Sequence, residues 1–122
     1  MLPKHLRKPL FLEGSSKKDF KRFPRAVQKD MGVALFVVQI GGTPPTAKMW
    51  TGLGSGVYEL LEEHDGNTYR AVYTVRIEEQ VHVLHAFQKK AKSGIATPKP
   101  DVKLIEKRLK GVLGRYRIEG RR

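Results

Sequence analysis

The fold is decided by one stretch of the sequence, VYELLEEHDGNTYRAVYTVRI, which spans residues 57–77. At its centre lies the Asp-Gly dipeptide of residues 65–66, which tight hairpin turns favour, and a run rich in β-branched and aromatic residues flanks it on each side. The stretch therefore predicts two antiparallel strands, 57–63 and 68–77. We expect one face of the second strand to pack on the core and the other to meet solvent or a ligand. The first face carries Tyr69, Ala71, Tyr73, Val75 and Ile77, and the second carries Thr68, Arg70, Val72, Thr74 and Arg76.

The chain on the C-terminal side of this hairpin predicts a third strand and a helix. Residues 78–80 turn the chain into a strand at 81–87, which runs into a basic cluster at 88–92. Thr97-Pro98 opens the last helix, because proline is tolerated in a first turn whose backbone donors have no intrahelical partner. The apolar face of this helix consists of Val102, Ile105, Leu109 and Val112.

The chain on the N-terminal side predicts a short strand and two helices. The strand lies at 10–13, and Ser16 followed by Asp19 is typical of a capped helix start. Pro24 begins the second helix, whose apolar stripe ends before Gly41-Gly42. The stripe consists of Val27, Met31, Ala34, Leu35 and Val38. The prediction is an α+β fold in which an N-terminal helical hairpin packs on a twisted antiparallel sheet with a C-terminal helix.

The composition limits the classes to which the protein belongs. Among 122 residues, 24 are Lys or Arg and 12 are Asp or Glu, so the formal net charge is +12. Such an excess attracts polyanions, which in the cytoplasm are mostly RNA. The sequence has no cysteine, which excludes disulfides, thiolate metal sites and a cysteine nucleophile. The apolar run 33–38 is too short to span a bilayer, so we expect a cytoplasmic protein without membrane attachment.

The chain divides into one domain with basic ends. Residues 1–9 form a basic arm that contains two prolines, and residues 115–122 form a basic tail. The intervening residues 10–114 are long enough for a single compact domain with its own core.

Two motifs that resemble ligand sites have simpler interpretations. The glycine-rich segment 52–56 opens a strand rather than a helix, so it predicts a flexible turn and not a dinucleotide site. His82 and His85 are three positions apart on a strand and should point to opposite faces, so they should not share a cleft. A lone histidine in an apolar strand is usually a hydrogen-bonded structural residue, and the alternative is proton transfer by one of the two. No spacing of His, Asp and Glu suggests a metal, and no cofactor is expected.

Basic residues near the ends of the strands are candidates for binding phosphate. Arg70 and Lys90 come from paired strands, so their charges can converge on one anion. For the cluster around Lys90 the alternative is a solvated exit from the sheet, and for Trp50 it is a place in the core. Further candidates for contact with nucleic acid are Lys48, Trp50, Arg76, Lys89 and Lys92.

Several blocks of the sequence, taken in order, resemble one known family. The blocks are GSSKKDF at 14–20, KMWTGLGSGVYEL at 48–60, YRAVY at 69–73, LHAFQKK at 84–90 and Thr97-Pro98. Over roughly residues 10–110 the chain looks like the phage-derived, HigB-like branch of the RelE/ParE toxin superfamily.

The resemblance implies a RelE-like toxin fold and the toxin of a type II toxin–antitoxin system. RelE-type and HigB-type members cut messenger RNA in the ribosomal A site without a metal, and a helix-turn-helix antitoxin usually holds HigB-like members inactive. By this resemblance Arg70 steadies the scissile phosphate, and Lys90 takes the place of a second arginine at the end of the last strand. Lys17 and Lys18 on the first helix then meet ribosomal RNA.

Departures from the family pattern leave the proton-transfer roles open. RelE-like toxins carry lysines on the first strand of the meander, where this chain has Glu59. His85 is a candidate because histidine as a residue type commonly transfers protons. Glu59 is a base if its pKa is raised, and Tyr73 lies on the predicted core face. The alternative for Glu59 is an ion pair with Arg70 or Arg76 on the adjacent strand.

Three functions are compatible with these observations. The leading one is a ribosome-dependent, metal-independent mRNA endonuclease that arrests translation. The others are a ParE-like inhibitor of DNA gyrase and a non-catalytic, basic, phage-derived nucleic-acid-binding protein. For the endonuclease, Arg70→Ala is expected to lower the cleavage rate by about 10²–10³ and to leave the fold intact.

Overall fold

The computed structural model describes residues 6–89 and 97–120, and for residues 118–120 it describes the backbone alone. Within these residues the chain forms a five-stranded sheet and three helices. In chain order the elements are β1 (Leu10–Leu12), α1 (Ser16–Lys21), α2 (Arg25–Gln39), β2 (Ala47–Met49), β3 (Val57–His64), β4 (Asn67–Thr74), β5 (Val81–Lys89) and α3 (Lys99–Gly120).

The sheet has the strand order β1-β5-β4-β3-β2. The meander β3-β4-β5 is antiparallel, which confirms the predicted hairpins, and the Asp65-Gly66 turn joins β3 to β4 with positive φ at both residues. The prediction of a wholly antiparallel sheet is wrong at one edge, because β1 pairs with β5 in parallel. The short strand β2, which pairs with β3, was not predicted, since its three residues carry no alternation.

Helices cover both faces of the sheet, so the expectation of one open face is wrong. On the first face, the stripe of α2 packs against Leu60, Ala71 and Tyr73. On the second face, Ile105, Leu109 and Val112 of α3 pack against residues that include Val57, Val72 and Leu84. The predicted apolar stripe of α2 is thereby confirmed, and that of α3 is confirmed for these three residues, whereas Val102 is only half-buried. The candidate site lies on the second face, which we call the α3 face.

A β-bulge changes the alternation of β5. Val72 lies opposite His85 but Tyr73 lies opposite Val83, so Leu84 is an extra residue in β5. As a consequence Leu84 and His85, although adjacent, both lie on the α3 face.

The predicted alternation of the second strand also ends earlier than expected. β4 stops at Thr74, and Ile77 is buried on the α3 face rather than with Tyr73 on the other. The predicted strand is therefore too long by three residues, because the chain bends away from the ladder after Thr74.

The two N-terminal helices differ in detail from the prediction. Ser16 is buried inside α1, and it is Ser15 at the N-cap whose hydroxyl donates to Asp19, at 2.9 Å. Pro24 is the N-cap of α2, whose C-terminal end is followed by Gly41 at positive φ. The main contacts of α1 are with β5 and those of α2 are with β3, so each helix of the predicted hairpin packs on the sheet.

Parts of the predicted arm and tail lie within the described residues. The backbone of Lys8 is hydrogen-bonded to Gln39, and the Pro9 carbonyl accepts from Val81. α3 continues through Gly120, so the predicted tail begins inside a helix. None of the helices in the described part of the chain is long and apolar enough to cross a membrane.

Candidate functional site

A polar cluster lies on the α3 face where α3 begins. Neighbouring strands contribute Glu59 from β3, Arg70 from β4 and His85 from β5, and the start of the helix contributes Thr97 and Asp101. We call these five residues the polar cluster. It brings together three of the four residues predicted to be catalytic, whereas the fourth, Lys90, lies outside the described residues.

Arg70 and Glu59 form an ion pair that is largely shielded from solvent. The Nη1 of Arg70 donates to the Glu59 Oε2 at 3.0 Å, and each side chain is 13% exposed. The same Nη1 lies 3.4 Å from the Thr97 Oγ1. The Nε of Arg70 is buried and has no hydrogen-bond partner among the residues described here.

Glu59 therefore forms an ion pair with Arg70, which is one of the two alternatives that the sequence allowed for it. In this contact the carboxylate of Glu59 neutralises the guanidinium of Arg70. Glu59 can act as a base only after Arg70 has moved to a phosphate. The expectation that Arg70→Ala leaves the fold intact is also affected. Truncation would leave Glu59 buried and unpaired, which typically costs about 3–5 kcal/mol.

His85 is held by a carboxylate and by an aromatic ring. Its Nε2 lies 2.7 Å from the Asp101 Oδ1, and its ring stacks on Phe87 with centroids 4.7 Å apart. The imidazole is 7% exposed, and its Nδ1 is buried without a partner in the described part of the chain. A buried polar atom without a hydrogen bond costs about 1–3 kcal/mol, so the orphaned nitrogen requires an explanation.

The expectation that His82 and His85 point to opposite faces is wrong, because the bulge at Leu84 turns His85 to the α3 face. His82 lies on the same face, where it lines a pocket of about 270 Å³ with Ile77 and Val112. The two imidazoles nevertheless have separate partners and line different pockets.

His82 has the structural role that the sequence favoured for a lone histidine. Its Nδ1 lies 2.7 Å from the Glu13 Oε2, and its Nε2 lies 2.8 Å from the Gln80 Oε1. Burial alone would raise the pKa of Glu13, but the hydrogen bonds from His82 and Arg115 outweigh it and hold the pKa below its usual range. The network ties the strand after the arm to β5 and α3.

Two of the predicted RNA-contact lysines flank the polar cluster. Lys48 of β2 is exposed and lies directly opposite Glu59 in the register of β2 and β3. Lys89 ends β5 two positions beyond Phe87, and alternation places it on the same face, half-buried. Lys92 lies outside the described residues.

The other predicted contacts divide into exposed and structural residues. Lys17 and Lys18 are exposed on α1. Trp50 is partly buried against the apolar core of the α3 face, which is the alternative the sequence allowed. Tyr73 is 1% exposed, and burial, with Tyr58 nearby, raises its pKa to about 12, so it is a core residue.

Arg76 contacts the glycine-rich turn. Its Nε donates to the Ser55 carbonyl at 2.6 Å. Gly54 and Gly56 have φ of 82° and 80°, and a Cβ at either would overlap the Arg76 side chain. The turn is therefore held by close approach of an arginine, which explains its glycines without a bound phosphate.

Sequence reasoning missed Asp101 and used Thr97 only as a helix start. The available signal was an acidic residue in the first turn of the last helix, a place where a carboxylate is favourable for the helix itself. Its contact with His85 depends on how α3 docks and could not be read from spacing. Within residues 6–89 and 97–120, no group of three or more His, Asp and Glu side chains is arranged to hold a metal ion.

Comparison with known proteins identifies a family. A solved toxin–antitoxin complex, RelBE2 from Mycobacterium tuberculosis, has a chain that is similar at 14% identity with a TM-score of 0.48, covering 70% of this chain and 94% of that one. No curated protein matches the sequence. The model of the family described as "Phage derived protein Gp49-like (DUF891)" matches residues 18–110, which is most of the domain. The chain therefore belongs to the Gp49-like family of phage-derived proteins.

Proposed function

We propose that this protein is the toxin of a type II toxin–antitoxin system, of the HigB-like kind, and that it cleaves messenger RNA on the ribosome. One observation carries the proposal. A guanidinium and an imidazole, each with a buried nitrogen lacking a partner among the described residues, converge on one face of the sheet in a chain of net charge +12. Membership of a phage-derived family and the ordered motif blocks support the same assignment.

The reaction is an internal transesterification of the RNA. The 2′-oxygen attacks the adjacent phosphorus and loses its proton to a base, while the bond from phosphorus to the 5′-oxygen breaks and that oxygen gains a proton. The products are a 2′,3′-cyclic phosphate and a 5′-hydroxyl. The protein must stabilise the extra negative charge on phosphorus and move these two protons.

Arg70 is the residue proposed to stabilise the phosphate. In the resting protein its charge is satisfied by Glu59 at 3.0 Å, and the scissile phosphate replaces that carboxylate in the complex. His85 is the proton acceptor, because its Nδ1 is a nitrogen without a partner among the described residues. Lys90 is proposed as the second cation from its sequence position alone.

The remaining basic residues supply docking rather than chemistry. Lys48 and Lys89 flank the polar cluster on the α3 face, while Lys17 and Lys18 form a separate exposed surface on α1. We assign the first pair to the message and the second to ribosomal RNA. The proposed inhibitor is a helix-turn-helix antitoxin encoded beside this chain.

The test uses a substitution that keeps the buried charge pair. Arg70→Lys retains a cation opposite Glu59 but loses the planar fork that matches a phosphate, so cleavage of a message on programmed ribosomes should fall by about 10²–10³. Arg115→Lys makes the same change in the Arg115–Glu13 pair, where the arginine is 57% exposed. It is the matched control and should cleave like wild type.

The proposal has a definite negative outcome. A folded wild-type protein that leaves messages on programmed ribosomes intact is not this endonuclease. A DNA supercoiling assay on the same preparation then distinguishes a gyrase inhibitor from a non-catalytic binding protein.

A further inference from the structure

The two buried histidines of β5 are satisfied to different degrees. His82 has a partner at both ring nitrogens, Glu13 and Gln80, as a structural histidine should. His85 has a partner at Nε2 only, and its Nδ1 is buried with none in the described chain. His82 therefore shows how an imidazole on this strand is held when both ring nitrogens have a partner. His85 differs because its Nδ1 has no partner in the described chain.

The contact with Asp101 decides which nitrogen of His85 carries the proton. A carboxylate accepts hydrogen bonds and does not donate them, so at 2.7 Å the Nε2 must be the protonated nitrogen. In the neutral ring the lone pair then lies on Nδ1. Stacking on Phe87 and burial to 7% exposure keep the ring from turning over. The bare nitrogen of the neutral ring is therefore Nδ1, which is buried in the unbound protein.

The position of His85 relates it to the proposed phosphate site. Arg70 lies directly opposite Phe87 in the register of β4 and β5, and His85 is two positions from Phe87. Arg70 and His85 are therefore diagonal neighbours on the α3 face, a separation of about 7–8 Å between backbones that long side chains bridge. Thr97, just before α3, contacts Arg70, and Asp101 in the first turn of α3 contacts His85.

We propose that Asp101 is a positioning residue, which holds His85 with Nε2 protonated so that Nδ1 accepts the proton of the attacking 2′-hydroxyl. The inference rests on the proposed function and adds to it the residue that orients the proposed general base, His85. Asp101 does not contact the RNA. It acts through His85, and its carboxylate also stabilises the imidazolium that forms when Nδ1 takes the proton.

The tautomer is tested without any activity measurement. Long-range ¹H–¹⁵N spectra of the ¹⁵N-labelled protein distinguish protonated from bare ring nitrogens. Neutral His85 should show a proton on Nε2 and a bare Nδ1. A proton on Nδ1 would overturn the inference whatever the protein cleaves.

The role in catalysis is tested with Asp101→Asn, which keeps the size of the side chain and removes its charge. Cleavage turnover on programmed ribosomes should fall by about 10²–10⁴, the usual contribution of a general base. The Kd for an uncleavable, 2′-O-methylated message on the same ribosomes should stay within twofold. Asp101→Glu, which restores the carboxylate, should recover turnover to within tenfold of wild type. Glu13→Gln, the matched change beside His82, should leave turnover unchanged.

Each other outcome is decisive. Equal losses of turnover and of binding in Asp101→Asn mean a structural role and overturn the inference. If Asp101→Asn cleaves within threefold of wild type while Arg70→Lys is impaired, the inference fails and the proposed function stands. If the wild type does not cleave, both fail.

Discussion

The buried Arg70–Glu59 pair predicts a large, measurable coupling between two side chains. Arg70→Met removes the cation and leaves a carboxylate that is 13% exposed, so unfolding should become easier by about 3–5 kcal/mol. A domain of this size has about 5–15 kcal/mol of stability in all, so this single change brings it near unfolding. In Arg70→Met/Glu59→Leu, two apolar side chains lie beside Val72 and Phe87, and stability should return to within about 1–2 kcal/mol of wild type.

The assay is urea unfolding of wild type, the two single variants and the double variant at neutral pH. The coupling is the sum of the two single-variant costs minus the cost of the double variant. With about 3–5 kcal/mol for Arg70→Met and about 1–2 kcal/mol for the double variant, it should exceed about 1 kcal/mol even before the cost of Glu59→Leu is added. A coupling below about 1 kcal/mol is the value for an exposed ion pair and would refute the buried pair. The double variant also distinguishes the structural role of Arg70 from its proposed catalytic role, because it should be stable and yet fail to cleave messages on programmed ribosomes.

Three further predictions concern other parts of the fold. Because the pKa of Glu13 is lowered on folding, its carboxylate adds stability above its ordinary pKa of 4.5, and this is lost as the pH falls through the folded value. The stability gap between wild type and Glu13→Gln, from urea unfolding at each pH, should therefore be widest near neutrality and close in acid. Gly54→Ala should lower stability by about 1–3 kcal/mol, because an alanine at that φ is strained and its Cβ meets Arg76. Gly111→Ala on α3, where a Cβ meets nothing, should be neutral or raise the melting temperature. Replacing the exposed lysines 17 and 18 of α1 by alanine should lower the salt dependence of binding to ribosomes by about 0.7–0.9 per charge, and an unchanged slope would exclude these lysines from the ribosomal RNA interface.

Local sequence was sufficient for most of the secondary structure. The Asp65-Gly66 turn and its flanking runs located β3 and β4, and the apolar spacing of α2 located the longest buried helix face. Such signals are local, because a turn type or a helical stripe is set by residues within one or two turns of each other. The same signals did not show β2 or the parallel partner of β5, whose strands have only three residues each.

The sequence singled out three members of the polar cluster, but it did not show their contacts and it missed Asp101. Arg70, Glu59 and His85 were singled out from residue type, strand position and resemblance, and they lie in one cluster. The opposite-face argument for the histidines failed because one extra residue, Leu84, reverses the alternation of β5. A bulge is specified by pairing with the neighbouring strand, so a single strand read alone does not reveal it.

The sequence by itself determined the α+β class, the meander, the large positive charge and the residue types available for chemistry, since these depend on composition and short spacings. The tertiary structure decided that α3 closes the face once expected to be open, that Glu59 neutralises Arg70, and that Asp101 holds His85. These pairs join residues 11 and 16 positions apart in the chain. Their geometry depends on strand register and on the docking of a helix, which many weak contacts decide together.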